Sequence, residues 1–202
     1  MRAVIIGNGN ISDIDAIRLK IKNDDYIICA DGGYNIAKRM GVKIDVLIGD
    51  LDSIKEFDND VKTIKYPSKK DFTDGELCLD YAIEKGFDDI LLLCMTSTRL
   101  DHTINNILML SRCKSAVIAD EKNEIYILKD VLKIQNKKGK TLSKLPIKGD
   151  LEGITTEGLM YPLCNETLYF GKCRGNSNVI LDNTLKITVK KGMGIVVITD
   201  GE

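Results

Sequence analysis

The feature that most constrains the fold is a regular alternation, over roughly the first 120 residues, of short β-branched runs with segments of helical periodicity. The apolar runs cover residues 3–6, 26–30, 46–48, 61–66, 90–93 and 116–119. Between them apolar residues recur at helical spacing, as in Leu77, Cys78 and Tyr81. Strands that alternate with helices pair in parallel, so the pattern predicts a mostly parallel sheet with helices on both faces. Ligands of such sheets bind beyond the carboxyl ends of the strands.

The pattern changes after about residue 122, where short strands separated by glycine and polar turns replace it. The predicted strands here are residues 125–128, 131–134, 168–170, 185–189 and 195–198. Turn signals stand at residues 148–150, 157–158 and 191–192, and no amphipathic helix is predicted. We therefore predict two domains, an α/β domain over residues 1–122 and an all-β sandwich or partly closed barrel over residues 123–202.

Composition excludes several classes of function. The 202 residues carry a formal net charge of −1 and hold no dense Lys/Arg cluster, which argues against nucleic acid as a partner. The longest apolar stretch, residues 90–95, is far shorter than the ~20 residues of a membrane span, and the first residues are unlike a signal peptide. We therefore expect a cytoplasmic protein that does not bind membranes. The six cysteines form no CxxC pair and are expected to be buried, reduced thiols.

Carboxylates gather where the predicted strands of the first domain end. They are Asp31 after the second strand, Asp50 and Asp52 after the third, and Asp71 and Asp74 just before a helix. Carboxylates a few ångströms apart repel one another unless a cation holds them, and oxygen ligands without a competing His/Cys set favour Mg²⁺. The alternative is that these residues are turn or helix N-cap residues. Their recurrence at successive strand ends favours a site for metal and phosphate.

Two further segments bear on nucleotide binding. Arg99, Asp101 and His102 follow the fifth strand and open the next helix, where an arginine beside a helix N-terminus suits a phosphate group. The alternatives are a structural role for His102 and a helix cap for Asp101. The loop at residues 7–12 nearly matches the dinucleotide-binding fingerprint, but Ser12 replaces its third glycine. A dinucleotide-binding module is therefore the weaker hypothesis.

Six short motifs follow one another along the chain. They are Ala30-Asp31-Gly32-Gly33-Tyr34-Asn35, Gly49-Asp50-Leu51-Asp52-Ser53, Lys70-Asp71-Phe72-Thr73-Asp74, Arg99-Leu100-Asp101-His102, Gly158-Leu159-Met160-Tyr161-Pro162-Leu163 and Gly175-Asn176-Ser177-Asn178. In order and spacing they resemble the motifs of the thiamine pyrophosphokinase family, and six ordered motifs are far more specific than one. The resemblance implies a Rossmann-like first domain and a homodimer with its sites at the subunit interface. The implied activity transfers the pyrophosphoryl group of ATP to the hydroxyl of thiamine, giving thiamine diphosphate and AMP.

The resemblance also implies roles for individual residues. Asp50, Asp52 and Asp74 correspond to the family's Mg²⁺ ligands, and Asp71 is a further ligand or a base for the thiamine hydroxyl; these four form the expected catalytic set. The residues implied near ATP are Asp31, Asn35, Arg99 and His102. The residues implied at the thiamine site are Tyr161, Ser177 and Asn178, of which the tyrosine would stack on the thiamine ring.

The chain departs from the family at a few positions. Ser97 and Thr98 stand where a Gly-Gly pair usually precedes the arginine, and Cys94 and Met95 replace small residues earlier in that loop. Val179 follows the Ser-Asn pair where an acidic residue is common. Bulk in a loop built for glycine would alter how closely the backbone approaches ATP. The alternative function is therefore a thiamine- or nucleotide-binding protein without turnover.

Overall fold

The computed structural model describes residues 1–54, 58, 60–113 and 115–200. The chain divides into two compact units, Met1–Glu121 and Lys122–Glu202. No helix within the described ranges is both long enough and apolar enough to cross a membrane. All six cysteines are in the described residues and none forms a disulfide; Cys164 and Cys173 are exposed, which corrects the expectation that all six are buried.

The first unit alternates strands and helices. Its strands are β1 Ala3–Ile6, β2 Tyr26–Ala30, β3 Val46–Gly49, β4 Lys62–Lys65, β5 Asp89–Leu93 and β6 Ser115–Ala119. Its helices are α1 Ile14–Arg18, α2 Gly33–Arg39, α3 Asp74–Glu84 and α4 Leu100–Met109, the last followed by a 3₁₀ turn at Leu110–Arg112. The strands pair in parallel in the order β4-β3-β2-β1-β5-β6. The prediction of a mixed α/β protein is confirmed.

Helices cover both faces of this sheet. Val4 and Ile6 of β1 pack in one buried cluster with Ile17 of α1 and Tyr34 of α2. Helix α3 packs against β1, β2 and β3, but its buried residues do not belong to that cluster. Because successive side chains of a strand point to opposite faces, α3 covers the other side.

The strand order reverses between β1 and β5, and this reversal positions the site. The chain adds strands on one side of β1 as far as β4 and then returns to the other side with β5. Such a reversal opens a crevice at the carboxyl ends of the two strands. The Gly7 N–H donates to the Leu93 carbonyl at 2.9 Å and the Gly9 N–H to the Cys94 carbonyl at 2.7 Å. The loops after β1 and β5 therefore lie side by side at this edge.

The second unit is built from antiparallel strands. They are β7 Asn123–Leu128, β8 Val131–Gln135, β9 Thr141–Glu157, β10 Glu166–Leu168, β11 Asn178–Val179, β12 Thr184–Thr188 and β13 Lys191–Thr199. Strand β9 is central, since it pairs with β10, β11, β12 and β13. No helix occurs between residues 122 and 200. Leu142, Leu151 and Ile154 of β9 are fully buried in the core of this unit.

The turn predicted at residues 148–150 is wrong, because β9 runs through it. Lys191 pairs with Glu152 and Met193 pairs with Lys148, so residues 149–151 of β9 lie opposite Gly192 alone. Gly149 has a φ of +70°. A glycine at positive φ makes a bulge here that leaves the strand continuous. The predicted turn at residues 157–158 is confirmed, since β9 ends at Glu157, whereas that at residues 191–192 lies inside the start of β13.

Candidate active site

Three carboxylates meet at the carboxyl edge of the first unit's sheet. Asp31 follows β2, Asp50 follows β3, and Asp74 is the first residue of α3, whose N-cap Thr73 accepts the Glu76 N–H at 3.1 Å. One carboxylate oxygen from each aspartate lies within 4.8 Å of those of the other two. We call these three residues the carboxylate trio.

Asp31 is held in a conformation that is rare for its residue type. Its φ is +41°, its backbone N–H donates to the Ile48 carbonyl at 2.9 Å, and it is only 9% exposed. The adjoining Gly49 is required here, because a Cβ at that position would lie 2.9 Å from the Asp31 Cβ. Strained backbone of this kind persists only where surrounding structure enforces it. The carboxylate is therefore fixed at the edge of the sheet before any ligand arrives.

The polar atoms of the trio are incompletely satisfied. Oδ1 of Asp31 is buried and accepts no hydrogen bond, whereas Oδ1 of Asp74 is buried with the ammonium group of Lys70 3.1 Å away. Burial raises the pKa of Asp74, and the nearby charges of Asp31 and Asp50 raise it further, against the lowering effect of Lys70. The pKa of Asp50 is lowered, chiefly because it accepts the Asp52 N–H at 3.2 Å. Buried carboxylates with free lone pairs are what a cation site requires.

A divalent cation with a preference for oxygen fits the donor set. Mg²⁺ binds one or two carboxylates and completes its shell with water and substrate phosphates. Oδ1 of Asp31 and Oδ1 of Asp74 supply such ligands, and no histidine or cysteine belongs to the trio. The chemistry of these residues therefore matches Mg²⁺ better than zinc or copper.

A cleft of about 260 Å³ adjoins the trio within the first unit. Its lining includes Gly7, Gly9, Asp31, Asp74, Ser97 and His102. The glycines let backbone segments pack closely beside it, since a Cβ on Gly9 would lie 2.3 Å from the Thr96 carbonyl oxygen. The cleft thus has a carboxylate edge and a backbone-rich edge, an arrangement suited to a nucleotide phosphate chain and its cation.

The residues that the sequence places near ATP do not all line this cleft. His102 and Asp31 do, whereas Asn35 is exposed and donates to the Ser53 carbonyl at 3.2 Å. Arg99 is exposed and pairs with Asp101, its Nη2 lying 2.6 Å from Oδ2. The Arg99 guanidinium holds the pKa of Asp101 well below its usual range.

The predicted metal set and the observed trio differ in one member. Asp52 is exposed and accepts the Ser53 hydroxyl at 3.0 Å; its backbone N–H donates to Asp50, but its carboxylate does not belong to the trio. Asp31 stands there in its place. Asp71, offered as a ligand or base, is also exposed and outside the trio. The signal for Asp31 is present in the sequence, as an aspartate at a strand end directly before Gly-Gly.

The loop that departs from the family is ordered by its own side chains. The Ser97 hydroxyl accepts the Arg99 N–H at 3.2 Å, and the Ser97 N–H donates to the Thr103 hydroxyl at 3.0 Å. Cys94 adopts a φ of +57°, a region that favours glycine. Side-chain bonds and local strain thus shape this segment.

The predicted thiamine residues come together in the second unit. Asn178 is buried, and its Oδ1 accepts the Tyr161 N–H at 3.1 Å and the Val179 N–H at 2.9 Å. Its Nδ2 donates to the Tyr161 carbonyl at 2.7 Å. Ser177 is exposed at a φ of +55°, and its N–H donates to the Ser143 hydroxyl at 3.1 Å. Asn178 therefore holds the backbone of Tyr161, whose side chain is 65% exposed.

Comparison with known proteins decides the family. Residues 17–127 match the family model described as thiamin pyrophosphokinase, catalytic domain, and residues 127–194 match the one described as thiamin pyrophosphokinase, vitamin B1 binding domain. The chain belongs to the thiamine pyrophosphokinase family. The thiamine pyrophosphokinase of Bacillus subtilis (strain 168) is 30% identical over 165 residues, covering 74% of this chain and 75% of that protein. Thiamine pyrophosphokinase 1 of Oryza sativa subsp. japonica is 26% identical over 201 residues, covering 80% and 74%.

Solved structures of this family share the fold. The crystal structure of thiamine pyrophosphokinase from Bacillus subtilis superimposes with a TM-score of 0.90 at 24% identity, covering 100% of both chains. That of thiamin pyrophosphokinase from Geobacillus thermodenitrificans gives a TM-score of 0.88 at 22% identity, covering 100% of this chain and 99% of the other. The large sheet with few helices described above is therefore the architecture of thiamine pyrophosphokinases.

Proposed function

We propose that this chain transfers the pyrophosphoryl group of ATP to the hydroxyl of thiamine, giving thiamine diphosphate and AMP. The observation that carries the proposal is the carboxylate trio with its buried oxygens, beside a cleft, in a chain of the thiamine pyrophosphokinase family. A binding protein without turnover is not favoured, because the catalytic-domain model matches residues 17–127.

In this proposal Mg²⁺ is held by Asp31, Asp50 and Asp74. When bound, it neutralises charge on the triphosphate as the group moves. The protein's own part is to position: Asp31 and Asp74 are fixed before binding, the first by its strained backbone and the second by the start of α3. Backbone N–H groups at the start of α3 and α4, together with His102, would bind phosphate oxygens, since residues from both helix starts line the cleft.

The second unit supplies the thiamine site in the same proposal. The exposed ring of Tyr161 offers an aromatic face to a cationic, planar ligand. Ser177 offers an exposed hydroxyl, and Asn178 fixes the backbone that carries the ring. Asp71 is proposed as the base for the thiamine hydroxyl, and Asn35 and Arg99 as residues near ATP.

We also propose an oligomeric state for this protein and a fold type for each of its units. By resemblance to the family we propose a cytoplasmic homodimer in which the partner subunit completes each site. We describe the first unit as Rossmann-like, because its parallel order reverses between β1 and β5. We describe the second unit as a β-sandwich, because β9 pairs with β13 along most of its length and with β12 at its end.

The experiment is an assay of AMP release from Mg-ATP with and without thiamine. The wild type is expected to release AMP only when thiamine is present, and Asp74→Asn is expected to lose that activity. The control is Asp88→Asn, which removes one exposed carboxylate before β5, at the opposite edge of the sheet. Thiamine-independent AMP release, or full activity in Asp74→Asn, would contradict the proposal.

A further inference from the structure

The carboxylate trio has a cation of its own, the ammonium group of Lys70. Nζ of Lys70 lies 3.1 Å from Oδ1 of Asp74 and 3.8 Å from Oδ2 of Asp50. It also donates to the Pro67 carbonyl at 3.3 Å. The Lys70 side chain is only 11% exposed, unlike that of the neighbouring Lys69, which is exposed. The ammonium is thus surrounded by protein oxygens, two of them from the trio.

This placement reduces the electrostatic repulsion within the trio. Three carboxylate groups with oxygens within 4.8 Å of one another repel each other, and a nearby positive charge reduces that repulsion. An ammonium group is a compact point charge on a flexible stem, which allows it both to reach these oxygens and to leave them. It approaches Oδ1 of Asp74, a buried atom that would otherwise be offered to a metal.

We propose that Lys70 is a built-in counter-ion that holds Asp50 and Asp74 when no metal is bound and that a divalent cation must displace. The inference rests on the proposed function, because it takes the trio to be the metal site. Lys70 is a positioning residue in this role. Its charge weakens the binding of the bare cation, so the site is loaded chiefly by a cation that arrives with nucleotide phosphates as additional ligands.

The test measures binding of Mn²⁺, used as a spectroscopic probe in place of Mg²⁺, to the full chain without nucleotide. The free Mn²⁺ signal in electron paramagnetic resonance is followed for the wild type, Lys70→Met and Lys69→Met. Removing a positive charge about 3 to 4 Å from the ligands is expected to lower the Kd of Lys70→Met at least about tenfold. Lys69→Met makes the same change of charge at an exposed position and should stay within about twofold of the wild type.

The outcomes separate the inference from the function on which it rests. Unchanged or weaker Mn²⁺ binding in Lys70→Met, with clear binding by the wild type, overturns the counter-ion role and leaves the metal site standing. If none of the three proteins binds Mn²⁺ at the trio, with Asp74→Asn as the reference for non-specific binding, the metal part of the proposed function fails.

A second readout concerns the metal-free protein. In EDTA the unfolding midpoint of Lys70→Met is expected to fall below that of Lys69→Met, because the carboxylates lose their counter-ion. Saturating Mn²⁺ should remove the difference, since a ligand that binds only the folded state stabilises it. If Lys70→Met does not fold, Lys70→Gln retains a donor for the Pro67 carbonyl and is subject to the same expectations. Equal midpoints of the Lys70 and Lys69 variants in EDTA would contradict the proposal.

Discussion

The two units solve the problem of buried polar groups in opposite ways. In the first unit Asp31 buries an oxygen that accepts no hydrogen bond, and Asp74 buries one that faces the ammonium group of Lys70. In the second unit the buried Asn178 side chain uses both its acceptor and its donor on backbone groups of Tyr161 and Val179. An unsatisfied buried atom raises the energy of the free protein and favours a ligand that satisfies it, whereas a satisfied one holds the structure around it. We therefore read the trio as ligand-binding and Asn178 as structural support for Tyr161.

The strongest test of the first unit's part in this difference compares two single substitutions, Asp31→Asn and Asp52→Asn. Asp31→Asn removes a fixed member of the trio, and we expect thiamine-dependent AMP release to fall at least about a hundredfold, as for loss of a metal ligand. Asp52→Asn changes an exposed residue outside the trio and should cost no more than about tenfold. Steady-state kinetics at saturating Mg-ATP measures both. The reverse order of effects would restore Asp52 as the ligand and make Asp31 structural.

Lys144 tests whether the second unit tolerates a buried charge. Lys144 of β9 is 2% exposed, and burial lowers its pKa to about 8. The charged form is thus disfavoured in the folded state, so stability is lowest below pH 8 and rises as the pH increases from about 8 to the unfolded pKa of about 10.4. Lys144→Met is expected to stabilise the protein at pH 7 by about 2 kcal/mol.

The measurement for Lys144 is urea unfolding of the wild type and of Lys144→Met between pH 7 and pH 10. The two free energies of unfolding should converge as the pH rises. A gap that does not depend on pH would show that Lys144 contributes through packing alone. Lys148→Met, in the same strand at an exposed position, is the control.

Asn178→Ala tests the structural role of the buried, fully hydrogen-bonded side chain in the second unit. Asn178→Ala leaves the Tyr161 N–H and carbonyl without their partner, and we expect a loss of about 1 to 2 kcal/mol in the free energy of unfolding. The KM for thiamine should rise while kcat changes less, because the ring of Tyr161 is then poorly positioned. Tyr161→Ala should raise the same KM without the loss of stability. A change in kcat alone for Asn178→Ala would indicate direct contact with the reacting groups.

The smallest effect is expected in the loop before α4. The Ser97 hydroxyl accepts the exposed Arg99 N–H, and because water can replace this bond, Ser97→Gly should change the KM for ATP by less than about threefold. Nucleotide titration of wild type and variant measures it. A large gain of activity would show that the serine obstructs ATP and that the departure from Gly-Gly is functional.

The sequence predicts the strands of the first unit closely, because most of its apolar runs are buried strands. The run at residues 61–66 is an exception, since β4 is only partly buried, and Ile104 and Leu108 of α4 are exposed. Residues 3–6, 26–30 and 90–93 all lie in strands of the sheet. The strands of the second unit are less predictable from the sequence, since a glycine there is compatible with two different structures. Gly158 follows the end of a strand, whereas Gly149 forms a bulge inside one. Only the pairing of β9 with β13 distinguishes the two cases.

The sequence by itself determined the family, the change of architecture near residue 122, and the presence of carboxylates at strand ends, because these depend on local periodicity and on residue type at fixed spacing. The tertiary structure alone decided that Asp31 joins Asp50 and Asp74, that Lys70 reaches the last two, and that Asn178 bonds to Tyr161. Each of these depends on distances between residues far apart in sequence or on the course of a loop. Such distances follow from the pairing of parallel strands and the packing of α3 against them, which no short window of residues encodes.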